Sequence, residues 1–301
     1  MKQPNAVQLK EVGPRDGLQN EKTIITTENK IELINRLSDT GLDYIEVSSF
    51  VHPKWIPQLA DAVDVLKGID RKPGITYAAL VPNLKGLERA LDADIDEVSV
   101  FMSASEGHNK ENINKTIAET FPVLREVVQA ARAAGKTVRG YISTVVACPY
   151  DGYTEPSQVK YVADHLFDMG VQEISLGDTI GVAVPTQVER LLDELLKHYK
   201  PEHLAMHFHD THGTAISNIV ASLPYGITRF DSAIGGLGGC PYAKGASGNV
   251  ATEDALYLFD TMGIETGVDM QKLLHASQFM EQQMKRPLTS KQMAVFRGEQ
   301  L

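Results

Sequence analysis

Eight short runs rich in β-branched residues alternate with longer stretches whose apolar residues recur at helical spacing, and this alternation constrains the chain more than any other feature. The strand candidates are Val7–Val12, Tyr44–Phe50, Ile75–Val81, Glu97–Met102, Val138–Val145, Glu173–Leu176, Leu204–His209 and Arg229–Ala233. Helical patterns cover Glu28–Leu37, Ile56–Leu66, Leu84–Leu91, Ile113–Ala134, Pro156–Met169, Pro185–His198, Ala215–Leu223 and Val250–Met262. Pro156 and Pro185 suit a first helical turn, while Gly41, Gly135, Gly170, Gly226 and Gly263 suit C-terminal stops. Eight strands, each followed by a helix, in 301 residues predict an α/β fold of the (β/α)8 TIM-barrel type. A doubly wound open sheet is disfavoured, because no phosphate-binding glycine fingerprint follows the first strand. Without a low-complexity linker, one catalytic domain is expected over residues 1–301. Its barrel would span about 5–263, with an additional C-terminal helical segment over about 264–301 that holds the pattern Met270–Met284 and a polar tail.

Composition removes several function classes. A net charge of −10 and the lack of any basic run argue against a nucleic-acid partner. No apolar run reaches the roughly 18 residues of a membrane span. The N-terminus, Met1-Lys2-Gln3-Pro4-Asn5, reads as neither a signal segment nor a transit stretch, so a cytoplasmic protein is expected. Two cysteines, Cys148 and Cys240, cannot build a framework of several disulfides.

A barrel predicts that functional groups gather at the C-terminal ends of its strands, and the sequence obliges. The seventh run ends His207-Phe208-His209-Asp210-Thr211-His212. On a strand, His207 and His209 share one face while Met206 and Phe208 share the other. Two imidazoles on one face suit a metal site, and Asp16, after the first run, could complete two histidines and a carboxylate with positions left open. Asp16 before Gly17 is also ordinary turn chemistry. Asn249 is a candidate oxygen ligand, or a helix N-cap. This nitrogen and oxygen set suits Mg2+ or Mn2+ at least as well as Zn2+. His212 is expected in a turn rather than as a third ligand.

Arg15 beside Asp16 could meet developing negative charge on a substrate oxygen, or pair with Glu11 or Glu46. Arg139 and Tyr141 lie on the fifth run, and Asp178 and Thr179 follow the sixth. Asp178 could carry a proton or support a neighbour. Cys240 sits in Gly235-Gly236-Leu237-Gly238-Gly239-Cys240-Pro241-Tyr242, where a glycine-rich loop could deliver a thiol as general acid or nucleophile. Pro241 and the missing Lys-Ser/Thr exclude the dinucleotide and P-loop readings.

These motifs, with Glu11-Val12-Gly13-Pro14-Arg15-Asp16-Gly17-Leu18-Gln19-Asn20-Glu21, Arg139-Gly140-Tyr141 and the Gly-Cys-Pro-Tyr loop, resemble the 3-hydroxy-3-methylglutaryl-CoA lyase family from about Val7 to about Leu274. The resemblance implies a divalent-metal enzyme of leucine breakdown that splits this acyl-CoA into acetyl-CoA and acetoacetate. It implies Asp16, His207, His209 and Asn249 as metal ligands, Arg15 as the group that stabilises the acetyl-CoA enolate, and Cys240 as the thiol that protonates it. Glu46 and Asp178 would join Arg15, Asp16, His207 and Cys240 in catalysis, and Arg15, Gln19, Arg139, Tyr141 and Thr179 would bind substrate. A homodimer is expected, and Ser103–Lys115 is a candidate to grip CoA. The terminal cysteine and organelle leader of animal members have no counterpart in this sequence.

Two rivals stand beside this reading. A Claisen condensation like that of isopropylmalate or homocitrate synthases, or an aldolase cleavage, would use similar metal ligands. Those synthases carry a further C-terminal domain, for which the ~35 residues beyond the last barrel helix are too few. A non-catalytic metal- or acyl-CoA-binding barrel is disfavoured by the intact set of acid, thiol and arginine candidates.

Overall fold

The computed structural model describes residues 3–238 and 248–299. Its eight barrel strands are β1 (Gln8–Glu11), β2 (Tyr44–Ser49), β3 (Thr76–Leu80), β4 (Glu97–Ser103), β5 (Thr137–Ser143), β6 (Glu173–Asp178), β7 (Leu204–Phe208) and β8 (Arg229–Ser232). They close in sequence order into one parallel barrel, with β8 returning to β1 through Gln8↔Arg229 to Glu11↔Ser232. The expected (β/α)8 architecture is therefore the observed one. Closure leaves no sheet edge, and each strand is sandwiched between barrel interior and helical ring, so it reads as a nearly continuous buried run. β2 is buried at all six positions. Its pairing with β3 shifts register between Glu46 and Ser48, a bulge that re-aims side chains at this end of the barrel.

The helices follow the periodic patterns with shifted ends. Thr27–Ser38 starts at Thr26, whose side chain accepts from Asn29 N, and it buries Leu33, Ile34 and Leu37 completely. Burying each such side chain contributes about 1.5–3 kcal/mol. Pro156–Met169 begins on its proline, and Gly170 ends it in the left-handed region at φ 104°. Three expectations need correction. The pattern Ile113–Ala134 begins later, as the helix Ile117–Ala133, and a separate helix, Glu106–Ile113, precedes it. Asn114 turns left-handed at φ 54° and Thr116 with Glu119 forms a reciprocal cap, and the two together break the run. The tail read as polar holds a helix, Lys291–Glu299, which buries Met293 and Phe296 against Leu274. Its four apolar residues were too few to read as a face. The pattern Ile56–Leu66 likewise yields only Ala62–Gly68 after a short turn at Pro57–Leu59.

The helix Met270–Met284 lies beside Thr27–Ser38, where Asn29 Nδ2 donates to Gln283 at 2.8 Å. Asp254 receives the N–H groups of Lys291 (3.0 Å) and Gln292 (2.9 Å), satisfying the start of the last helix from the barrel side. No helix among the described residues is long and apolar enough to cross a membrane.

Candidate metal centre

At the C-terminal end of β7 the alternation of side chains places His207 and His209 together, with ring centroids 5.3 Å apart. The turn after β1 brings Asp16 to them. That turn winds about the Val12 carbonyl, which receives N–H groups from Arg15 (3.1 Å), Asp16 (2.7 Å) and Gly17 (3.3 Å). The Asp16 carboxylate is thus free to face the histidines, with Oδ2 3.8 Å from His207 Nε2 and 3.9 Å from His209 Nε2. One ligand atom from each residue lies within 4.8 Å of the others, so Asp16, His207 and His209 could hold a metal ion.

The protonation states fit that role. Burial works against the Asp16 charge, but Arg15, His207 and His209 hold its carboxyl at about 2. Burial, assisted by His207, pushes His209 down to about 4, so its imidazole is neutral at pH 7 and its Nδ1 lacks a partner among the described residues. A neutral imidazole and an ionised carboxylate are the forms a divalent cation binds. His207 is fixed from behind. It is the register partner of Asp231 on β8, whose Oδ2 lies 3.1 Å from Nδ1. A carboxylate on Nδ1 sets the tautomer and aims Nε2 at the site.

Asp231 belongs to an ion column inside the barrel. Arg139 gives it hydrogen bonds of 2.6 and 3.2 Å and reaches Glu173 at 2.7 Å, while Ser175 adds 2.7 Å. Lys10 (2.8 Å) and Arg229 (3.1 Å) complete the surroundings of Glu173. Burial opposes the charge on Asp231, yet Arg139 and His207 keep it strongly acidic.

Arg15 is held by two carboxylates, Nε to Glu46 at 2.6 Å and Nη1 to Asp16 at 2.5 Å, and lies over the Tyr141 ring at 5.0 Å. Tyr141 in turn donates to Glu46 at 3.0 Å. Burial penalises the guanidinium, but Glu46 and Asp16 more than compensate, so it stays charged. Glu46 Oε1 is buried with no hydrogen-bond partner among the described residues.

A cavity of about 560 Å3 opens over this group, lined by Arg15, Asp16, Gln19, Tyr141, Thr179, His207 and His209, and farther off by Trp55, His108, Asn112 and Lys115. The remaining candidates stand outside the lining. Arg139, expected to bind substrate, is fully buried and committed to the ion column, which makes it a support for Asp231. Asp178 accepts from Val182 N (3.2 Å) and Ala183 N (3.0 Å), and burial pushes it up to about 6. Glu11 does not pair with Arg15 but receives N–H groups from Gly13 (2.7 Å) and Ile234 (2.9 Å). Asn249 caps no helix. Its Nδ2 donates to Asp16 Oδ2 at 2.8 Å and to Leu237 O at 3.1 Å, so it borders the trio. Cys148 is buried and accepts from Ser105. His212 is exposed in a turn. Cys240 lies outside the described residues.

Sequence reading missed Lys10, Glu173, Ser175 and Asp231. Their signal was present as polar and charged residues within strands that read as buried runs, where charge must be paired.

The comparisons agree with this geometry. The HMGL-like family model matches residues 6–280. The hydroxymethylglutaryl-CoA lyase of Bacillus subtilis is 55% identical over 99% of this chain and 100% of its own, and its crystal structure superposes with a TM-score of 0.98. The 3-hydroxy-3-isohexenylglutaryl-CoA/hydroxymethylglutaryl-CoA lyase of Pseudomonas aeruginosa is 54% identical over 92% of this chain and 93% of its own. An HMG-CoA lyase from Acinetobacter baumannii, solved with coenzyme A and 3-methylmalate, is 40% identical, covers 95% of this chain and 94% of its own, and gives a TM-score of 0.91. With a family match across nearly the whole barrel and relatives this close over nearly full length, the chain belongs to the HMGL-like family.

Proposed function

We propose that this chain is a carbon–carbon lyase that cleaves 3-hydroxy-3-methylglutaryl-CoA into acetyl-CoA and acetoacetate. The observation that carries the reading is the convergence of Asp16, His207 and His209 with Arg15 on one cavity. The identities of the B. subtilis and P. aeruginosa lyases support the substrate. Asp16, His207 and His209 would hold the divalent ion, Mg2+ or Mn2+, with Asn249 as a fourth ligand once its amide turns so that the oxygen, in place of Nδ2, faces the trio. When bound, the ion supplies Lewis acidity that lowers the pKa of a substrate hydroxyl.

The chain's own residues account for the rest. Cleavage requires loss of the proton from the tertiary C3 hydroxyl, and Asp16 and His207 are the groups placed to receive it. A His207 that holds the ion through Nε2 and donates from Nδ1 to Asp231 has no lone pair left for that proton, which favours an Asp16 carboxylate oxygen as the acceptor. As the C3 oxygen becomes the ketone of acetoacetate, the C2–C3 bond breaks and its electron pair moves to C2 and the thioester oxygen. Arg15, kept charged by Glu46 and Asp16, meets that oxygen. Cys240 returns a proton to C2 and so completes acetyl-CoA. Gln19, Tyr141 and Thr179 line the cavity as substrate contacts, with Asp178 setting the turn after β6. The A. baumannii complex with coenzyme A supports an acyl-CoA in this cleft.

Incubation with 3-hydroxy-3-methylglutaryl-CoA and Mg2+ or Mn2+ should release acetyl-CoA and acetoacetate in equal amounts. Release of neither, from protein that binds metal, sinks the reading. A cytoplasmic homodimer goes with this reading, and light scattering and cell fractionation test it.

A further inference from the structure

Gly238 and Gly248, ten positions apart in the sequence, abut and form a neck. A Cβ on Gly248 would stand 1.7 Å from the Gly238 carbonyl oxygen, so only glycine permits the approach. This neck adjoins the metal trio on one side, where Leu237 O accepts from Asn249 Nδ2 and Leu237 packs on Gly17. On the other side it is held at Gly235, which is left-handed at φ 63°. Gly235 N donates to both carboxylate oxygens of Glu253 at 2.9 Å, and Glu253 also accepts from Ser277 of helix Met270–Met284. Gly235 O accepts from Thr289 N (3.1 Å) and Ser290 N (3.2 Å). Leu288 fills the space where a Gly235 side chain would stand. Both backbone polar groups of Gly235, at the foot of the neck, are therefore bound by Glu253 and by the segment between the last two helices. Neighbouring Asp254 anchors that segment by accepting from Ser290 Oγ at 2.8 Å.

We propose that the C-terminal extension is a positioning part of the active site, with Glu253, Ser277 and Leu288–Ser290 clamping Gly235 so that the neck holds its register against Arg15, Asp16 and Asn249. The inference rests on the lyase reading, in which Cys240, which lies between Gly238 and Gly248 in the sequence, supplies a proton. None of the clamp residues lines the cavity, so they act through the backbone they hold. Glu11 closes the same frame from the barrel, since its Oε1 receives both Gly13 N and Ile234 N.

The test uses full-length Ser277→Ala, Glu253→Gln and Thr289→Pro proteins, the last lacking the N–H that reaches Gly235 O. Turnover of 3-hydroxy-3-methylglutaryl-CoA should fall by about tenfold or more while KM and Mn2+ affinity stay within about twofold, as expected for a misplaced reacting group. Ser277→Thr, which keeps the hydroxyl, should restore most of the rate. A second readout needs no turnover: in a Cys148→Ala background, alkylation of Cys240 by iodoacetamide should change rate by about threefold or more in each clamp variant. Unchanged turnover and alkylation, or losses of KM, metal affinity and melting temperature with kcat preserved, overturn the proposal. Altered alkylation in a protein whose parent fails to cleave the substrate would sink the lyase reading and leave the clamp standing.

Discussion

The ion column inside the barrel and the trio at its rim meet directly at the hydrogen bond of His207 to Asp231, and Arg139 also reaches the rim through Tyr141, yet they treat charge in opposite ways. In the column, Arg139 and Asp231 are fully buried and each meets opposite charge in close geometry. At the rim, Asp16 Oδ2 stands nearly 4 Å from two imidazoles, His209 Nδ1 has no partner among the described residues, and Glu46 Oε1 is equally orphaned. Burying an unsatisfied donor or acceptor costs about 1–3 kcal/mol. The rim tolerates that cost where a ligand is to arrive, whereas the charged groups of the column, outside the cavity lining, meet one another and avoid it.

Substitutions on either side sharpen the contrast. Asp16→Asn should leave the fold intact but reduce cleavage by about 1,000-fold or more, because a ligand and a partner of Arg15 lose their charge together; the checks are the coupled assay and circular dichroism. Chelation should abolish the wild-type rate in the same way, and Mg2+ or Mn2+ should restore it. Arg139→Met strands Asp231 and Glu173 in the interior and should cost about 3–5 kcal/mol in urea unfolding, a loss no rim variant should match. Asp231→Asn addresses the junction itself. By loosening His207 it should weaken metal binding roughly 10–100-fold in a calorimetric titration. Glu46→Gln should lower kcat by about tenfold with metal affinity retained, since it touches Arg15 and not the trio.

The smallest effect concerns the two buried glutamates beneath the neck. Burial raises Glu11 to about 7 and Glu253 to about 8 in the folded protein, above their ordinary 4.5. The folded state therefore holds these protons more tightly than the unfolded chain. Stability is fully present below about pH 4.5 and is lost as pH rises through 7 to 8. The melting temperature should decline across that window, and Glu253→Gln should flatten the decline.

The same contrast separates what could be read in the chain from what could not. Strand-end motifs such as His207-Phe208-His209 and Arg15-Asp16 are local, and a period of two places their side chains without knowledge of neighbours. The eightfold alternation then closes the barrel. The column was not legible because Lys10, Arg139, Glu173 and Asp231 come from four strands and meet only across the interior. For the same reason Arg139 read as a substrate contact. The helix Glu106–Ile113 escaped because Ile113 is its one apolar side chain, so it offers no apolar repeat to read. The last helix escaped because its start is satisfied by Asp254, far away in the chain.

The ion column also limits how this chemistry can be moved between scaffolds. Grafting the rim segments with Arg15, Asp16, His207 and His209 onto another eightfold barrel would transplant every ligand and still omit Asp231, with the Arg139 and Ser175 that hold it. The recipient would then carry a His207 ring free to rotate and to exchange tautomers. A working transplant has to include the inward positions of β5, β6 and β8, so the smallest portable unit of this activity is the barrel interior together with its loops.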